Sequence, residues 1–148
     1  MSKQYQVNSI VRLANRVMVR LNRWGIAAPN SYVLTVHGRK TGKSYYVPVM
    51  PVEENGQRWL VAPYGEVSWV RNARVAGEVT LSRGSKTETL KIREANPQES
   101  APILKKYIAR ESMVRPYFDV QPDAPLEAFA AEAPRHPVFQ LKTGVARS

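Results

Sequence analysis

Apolar residues along this chain keep two different periods, and the change from one to the other marks out its elements. From Val7 to about Asn22, Val7, Ile10, Val11, Ala14, Val17, Met18 and Leu21 recur at helical spacing. Asn8, Arg12, Asn15, Arg16, Arg20 and Arg23 fall largely on the opposite face. After a break at Gly25 to Asn30 the period shortens. Tyr32–His37 and about Tyr45–Glu53 read as strands, the second bent or at a sheet edge because Pro48 and Pro51 interrupt it. Glu54-Asn55-Gly56 signals a turn into a short strand, Arg58–Ala62, and so a hairpin. Val67–Ala76 returns to helical spacing and stops at Gly77. Glu78–Ser82 and Lys86–Arg93 are two more strands about the turn Arg83-Gly84-Ser85. Asn96-Pro97 opens a helix that runs to about Arg110. A proline-interrupted segment with a short helix at Leu126–Ala133 precedes a closing strand, His136–Leu141. Short strands with helices inserted, rather than regular βαβ alternation, predict an α+β fold built on a small antiparallel barrel.

One bend is rich in polar and basic residues. Between the first two strands, Gly38-Arg39-Lys40-Thr41-Gly42-Lys43 carries two glycines and three cations. Backbone N–H groups, a hydroxyl and positive charge gathered on a β scaffold are the donors that hold a phosphate or another polyanion, and equally the make-up of a solvated basic turn. Gly38-x-x-x-Gly42-Lys43-Ser44 is one residue short of a Walker A loop. It also leads into Tyr45-Tyr46-Val47-Pro48, a strand, where a P-loop would open a helix. Nucleoside triphosphatase chemistry is excluded.

Composition narrows the partners. The chain has 148 residues, 43% of them hydrophobic, enough for one domain with a proper core. It divides into a basic amphipathic helix and linker, 1–30, and a barrel domain, 31–148. There is no cysteine, and the two histidines, His37 and His136, lack metal-ligand spacing, so no metal centre is expected and either histidine reads first as structural. No stretch approaches the ~18 apolar residues of a membrane span, and no secretory signal is present, which predicts a cytoplasmic protein. The net charge of +10 points to an anionic partner: a phosphorylated cofactor, nucleic acid or an acidic lipid surface. Nucleic acid is the weakest of these, since no recognition motif accompanies the scattered basic residues. The first helix, with Trp24 at its end, suits either packing on its own domain or a peripheral position on the inner membrane face.

Three stretches, LTVHGRKTGKSYYVPV (Leu34–Val49), WLVAPYGEVSWVRNARVAGEVTL (Trp59–Leu81) and HPVFQL (His136–Leu141), resemble the deazaflavin-dependent nitroreductase family in order and spacing. The resemblance implies a split β-barrel, FMN-binding-like, with peripheral helices, and it implies coenzyme F420 as cofactor, FMN being the alternative. By that resemblance Arg39, Lys40, Thr41 and Gly42 hold the cofactor phosphate. Val47, Pro48 and Val49 line the deazaflavin ring. Ala62, Pro63, Tyr64 and Gly65 approach the ring and ribityl chain, and Trp69, Arg71 and Asn72 complete the pocket. The loop PYGEVS is shorter than in well-known members and carries Glu66, with Arg71 and Arg74 as compensating cations.

The implied reaction is hydride transfer from the reduced cofactor to an electron-poor small molecule: a quinone, an activated alkene or a nitro compound. Tyr117 is the candidate catalytic proton donor, with Phe118 beside it and Trp24 over an apolar substrate. A rival reading on the same fold is a fatty-acid or hydrophobic-ligand carrier without a redox cofactor. The sequence leaves room for a homodimer.

Overall fold

The computed structural model describes residues 31–142. The expected helix at Val7–Asn22, the segment 1–30 and Trp24 lie outside the described residues. Seven strands, β1 (Tyr32–His37), β2 (Ser44–Val49), β3 (Val52–Glu54), β4 (Gln57–Val61), β5 (Glu78–Arg83), β6 (Lys86–Glu94) and β7 (Val138–Lys142), form one sheet in the order β2-β1-β5-β6-β7-β4-β3. Every pairing is antiparallel. Three α-helices are inserted: α1 (Ser68–Ala76), α2 (Pro97–Arg110) and α3 (Leu126–Glu132).

The stretch read from sequence as one interrupted strand is two, β2 and β3, and they occupy opposite edges of the sheet. Only Met50 and Pro51 separate them. Three Cα–Cα steps reach at most about 11 Å, so the sheet has to curl until its edges nearly meet. Pro48 is tolerated because β2 is an edge strand with no ladder on its outer side, and Pro51 lies in the link between the two strands. The result is the split barrel that the sequence predicts.

Local chemistry explains most element boundaries. The β3–β4 hairpin turns through Asn55 and Gly56 at φ 55° and 73°, the left-handed pair that a two-residue hairpin requires. Asn96 caps α2 through a reciprocal pair: its Oδ1 accepts from the Glu99 N–H at 2.8 Å, and Glu99 Oε1 accepts from the Asn96 N–H at 3.0 Å.

Two apolar clusters sit on the two faces of the sheet. The inner one holds Leu34, Val36, Val49, Leu60, Val79, Leu81, Leu90 and Phe139, closed by Trp69, Val70 and Ala73 of α1. The outer one joins Trp59, Val61 and Val138 to Ile103, Leu104 and Ile108 of α2 and to Phe129 of α3. Alternation along β4, with Leu60 inward and Trp59 and Val61 outward, is what allows one strand to serve both.

Candidate active site

The basic turn is closed by its own backbone. The Gly38 N–H donates to the Lys43 carbonyl at 2.7 Å, and the Gly42 N–H donates to the Gly38 carbonyl at 3.0 Å. Gly42 takes φ 75°, which admits this closure without steric cost. The Thr41 hydroxyl oxygen accepts from the Lys43 N–H at 3.3 Å, which leaves its O–H able to donate outward. The remaining anchor comes from α1. Asn72, only 5% exposed, accepts on Oδ1 from the Arg39 N–H at 3.0 Å and from Arg39 Nη1 at 2.8 Å. The backbone N–H groups of Lys40 and Thr41 have no partner among the described residues, and the side chains of Lys40 and Lys43 are exposed with no carboxylate on them. This is a rigid loop with spare donors and spare positive charge, a donor set that suits a phosphate.

The loop that follows β4 leads straight into α1, so the same helix that holds the turn also fixes this second wall. Its backbone is tied down by the Ala62 N–H on the Pro137 carbonyl at 2.8 Å and the Gly65 N–H on the Ala62 carbonyl at 3.3 Å. Tyr64, 38% exposed, meets Tyr117 edge to face with centroids 4.9 Å apart and an interplanar angle of 77°. Tyr117 ends a 3-10 turn, Ser112–Tyr117, that follows α2. The next residue, Phe118, is buried and stacks flat on His136, centroids 3.7 Å apart. His136 in turn spans the Pro63 carbonyl, 2.9 Å from Nδ1, and Glu132 Oε2, 2.7 Å from Nε2. Burial pulls the His136 pKa below its ordinary value, against the opposing effect of Glu132 and the Pro63 carbonyl.

A family model described as F420H(2)-dependent quinone reductase matches residues 7–123, most of the chain. The chain belongs to this family. It is an oxidoreductase by that membership. Among solved structures it is similar to an F420-H2 dependent reductase (FDR-A), with 25% identity over 77% of this chain and 95% of that one and a TM-score of 0.54. It is also similar in fold to a domain-swapped dimer, with 22% identity over 90% of this chain and 96% of that one and a TM-score of 0.56. The General Stress Protein 26 from Bacillus anthracis shares the fold at 10% identity over 86% and 87% of the two chains, TM-score 0.51. No curated protein matches the chain significantly in sequence.

Within this quinone reductase family member, the residues singled out from sequence separate into groups. Arg39 and Asn72 come together, and so do Tyr64 and Tyr117. Val47 and Val49 stand opposite Leu34 and Tyr32 and face the inner cluster, whereas Pro48 stands opposite Val33 on the other face. Ala62 is fully buried in the inner cluster. Trp69 is buried against Phe139, with centroids 6.1 Å apart. Arg71 is exposed on α1.

Arg74, which the sequence offers with Arg71 as a cation to compensate for Glu66, stands beside that carboxylate. Its guanidinium is paired with Glu94 at 2.7 Å and with Glu66 at 3.4 Å, so its charge is already matched. Sequence reasoning passed over Glu132 and left His136 without a site role. Their four-residue spacing at the end of α3 was the available signal, and only the packing of Pro63 and Phe118 around the ring gives it meaning.

Proposed function

We propose that the chain binds reduced coenzyme F420 and reduces an electron-poor small molecule, a quinone before an activated alkene or a nitro compound. The observation that carries this reading is the basic turn, whose Lys40 and Thr41 N–H groups and Lys40 and Lys43 side chains are unspent while Asn72 holds the loop rigid. A preorganised set of donors binds an anion without a further ordering cost. Arg71, exposed on the helix that holds the turn, adds attraction for an acidic tail. When bound, the deazaflavin supplies a hydride.

The chain's own contribution is position and a proton. Tyr64 and Tyr117 form the acceptor side, where a phenol O–H stabilises negative charge developing on a quinone oxygen. Tyr117 is the donor we favour. Tyr107, the other tyrosine late in the chain, is buried on the apolar face of α2, and burial raises its pKa. The similarity to a domain-swapped dimer supports a second copy of the chain as a partner, which light scattering of the purified protein reads directly.

The test is a fluorescence titration of the purified chain with coenzyme F420 and, separately, with FMN, followed by quinone-dependent oxidation of the reduced deazaflavin. Saturable binding of the deazaflavin with turnover is expected. Binding of FMN alone, or of neither, would overturn the assignment.

A further inference from the structure

His136 is held by three segments distant in sequence: the loop after β4 through Pro63, the residue after the 3-10 turn through Phe118, and the end of α3 through Glu132. It is 3% exposed. Both ring nitrogens face oxygens that accept. A carbonyl cannot donate, and Glu132 Oε2 already accepts from the Asp119 N–H at 3.1 Å, while Oε1 accepts from the Arg135 guanidinium. With Glu132 ionised, both contacts are complete only when each nitrogen carries a proton; a neutral ring then satisfies one and sets a lone pair against oxygen at the other. The two segments this ring touches carry the tyrosine pair, since Pro63 precedes Tyr64 and Phe118 follows Tyr117.

We propose that His136 is the positioning residue of the Tyr64–Tyr117 pair, its protonation setting how firmly Pro63 and Phe118 hold the two phenols and hence the rate of acceptor reduction. The catalytic half of this rests on the reading of that pair as the acceptor side of the site. The charged groups around the ring are Glu132 on α3, Arg135 in the turn after it, and Asp119, which is paired with Arg135 at 2.8 Å. Tyr64 and Tyr117 are the titratable groups of the packed segments. Burial lowers the imidazole pKa, so the ring gains its second proton as the pH falls through that depressed value. Turnover rises as it does so.

The chain has two histidines, His37 and His136, so imidazole NMR signals are assigned with a single His37→Gln variant. In the unsubstituted full chain without cofactor, the His136 signal should titrate below the ordinary value of about 6.5, and the ring signals of Tyr64 and Tyr117 should move with the same midpoint. Tyrosine signals that stay fixed through that transition overturn the coupling. With reduced deazaflavin and a quinone, kcat should show a limb at the same midpoint, and His136→Gln, which donates but does not titrate, should abolish it. A limb that survives in His136→Gln overturns the positioning role. If that variant fails to fold, agreement of the kinetic and NMR midpoints in the unsubstituted chain decides, and disagreement overturns the proposal. If the chain binds no deazaflavin, the loss belongs to the proposed function, and the tyrosine signals still decide the coupling.

Discussion

A single amide oxygen, Asn72 Oδ1, receives both the backbone N–H and the guanidinium Nη1 of Arg39, at 3.0 and 2.8 Å, and so locks the basic turn to α1. The arginine expected to reach for an anion is also the turn's own anchor. Its neighbours Lys40, Thr41 and Lys43 are the donors left facing outward.

Replacing Asn72 with Ala strands the Arg39 N–H and removes a charge-assisted bond. The expected cost is about 1–3 kcal/mol of folding stability, together with weaker deazaflavin binding because the turn is no longer preorganised. Denaturant unfolding and a fluorescence titration of the same variant measure both. Wild-type values in both would show that the turn is held by its internal bonds alone.

Lys40→Ala and Arg39→Ala should differ in kind. Lys40 makes no internal ion pair among the described residues, so its loss should weaken binding by about 1.5–3 kcal/mol and leave stability unchanged. Arg39→Ala should lower stability as well. The double variant loses several-fold more affinity than either, and raising the salt concentration should shrink the difference. Unchanged affinity in the double variant would remove the turn from the cofactor site.

Tyr117→Phe keeps the edge contact with Tyr64 and removes only the phenol oxygen. Turnover should fall on the order of a hundredfold, within the range of a lost proton donor, at unchanged cofactor affinity. Steady-state kinetics with a quinone acceptor reads this, and full activity would dismiss Tyr117 as the donor.

Glu99 carries a pKa lowered from 4.5 to about 2, chiefly by the Arg93 guanidinium and then by the Asn96 N–H. A carboxylate whose folded pKa is depressed contributes stability above its unfolded value, and that contribution is lost as the pH falls from about 4.5 toward 2. Unfolding midpoints measured across this window should decline less steeply in Glu99→Gln than in the parent. Parallel curves would mean that solvent screens the pair at this exposed site.

Much of the chain was legible before folding was considered. β1 runs over the residues that alternation predicts. The Asn55-Gly56 turn, the Gly77 stop after α1 and the Asn96-Pro97 start of α2 lie where local preferences put them. The basic turn was visible as well, because its composition is its chemistry. What each cation does was not. Arg39 and Arg74 read alike in sequence, yet one is bound to Asn72 and the other is shared by Glu66 and Glu94.

The sequence by itself determined most of the elements, their caps and turns, and the basic, glycine-flanked character of one bend, because those depend on dihedral preference and on hydrogen bonds between residues close along the chain. Tertiary structure alone decided that β2 and β3 part to opposite edges, that Tyr64 meets Tyr117, and that His136 is gripped between Pro63 and Glu132. Each of those depends on closing a long loop and burying a polar group against a distant partner, and no local pattern specifies which partner it will be.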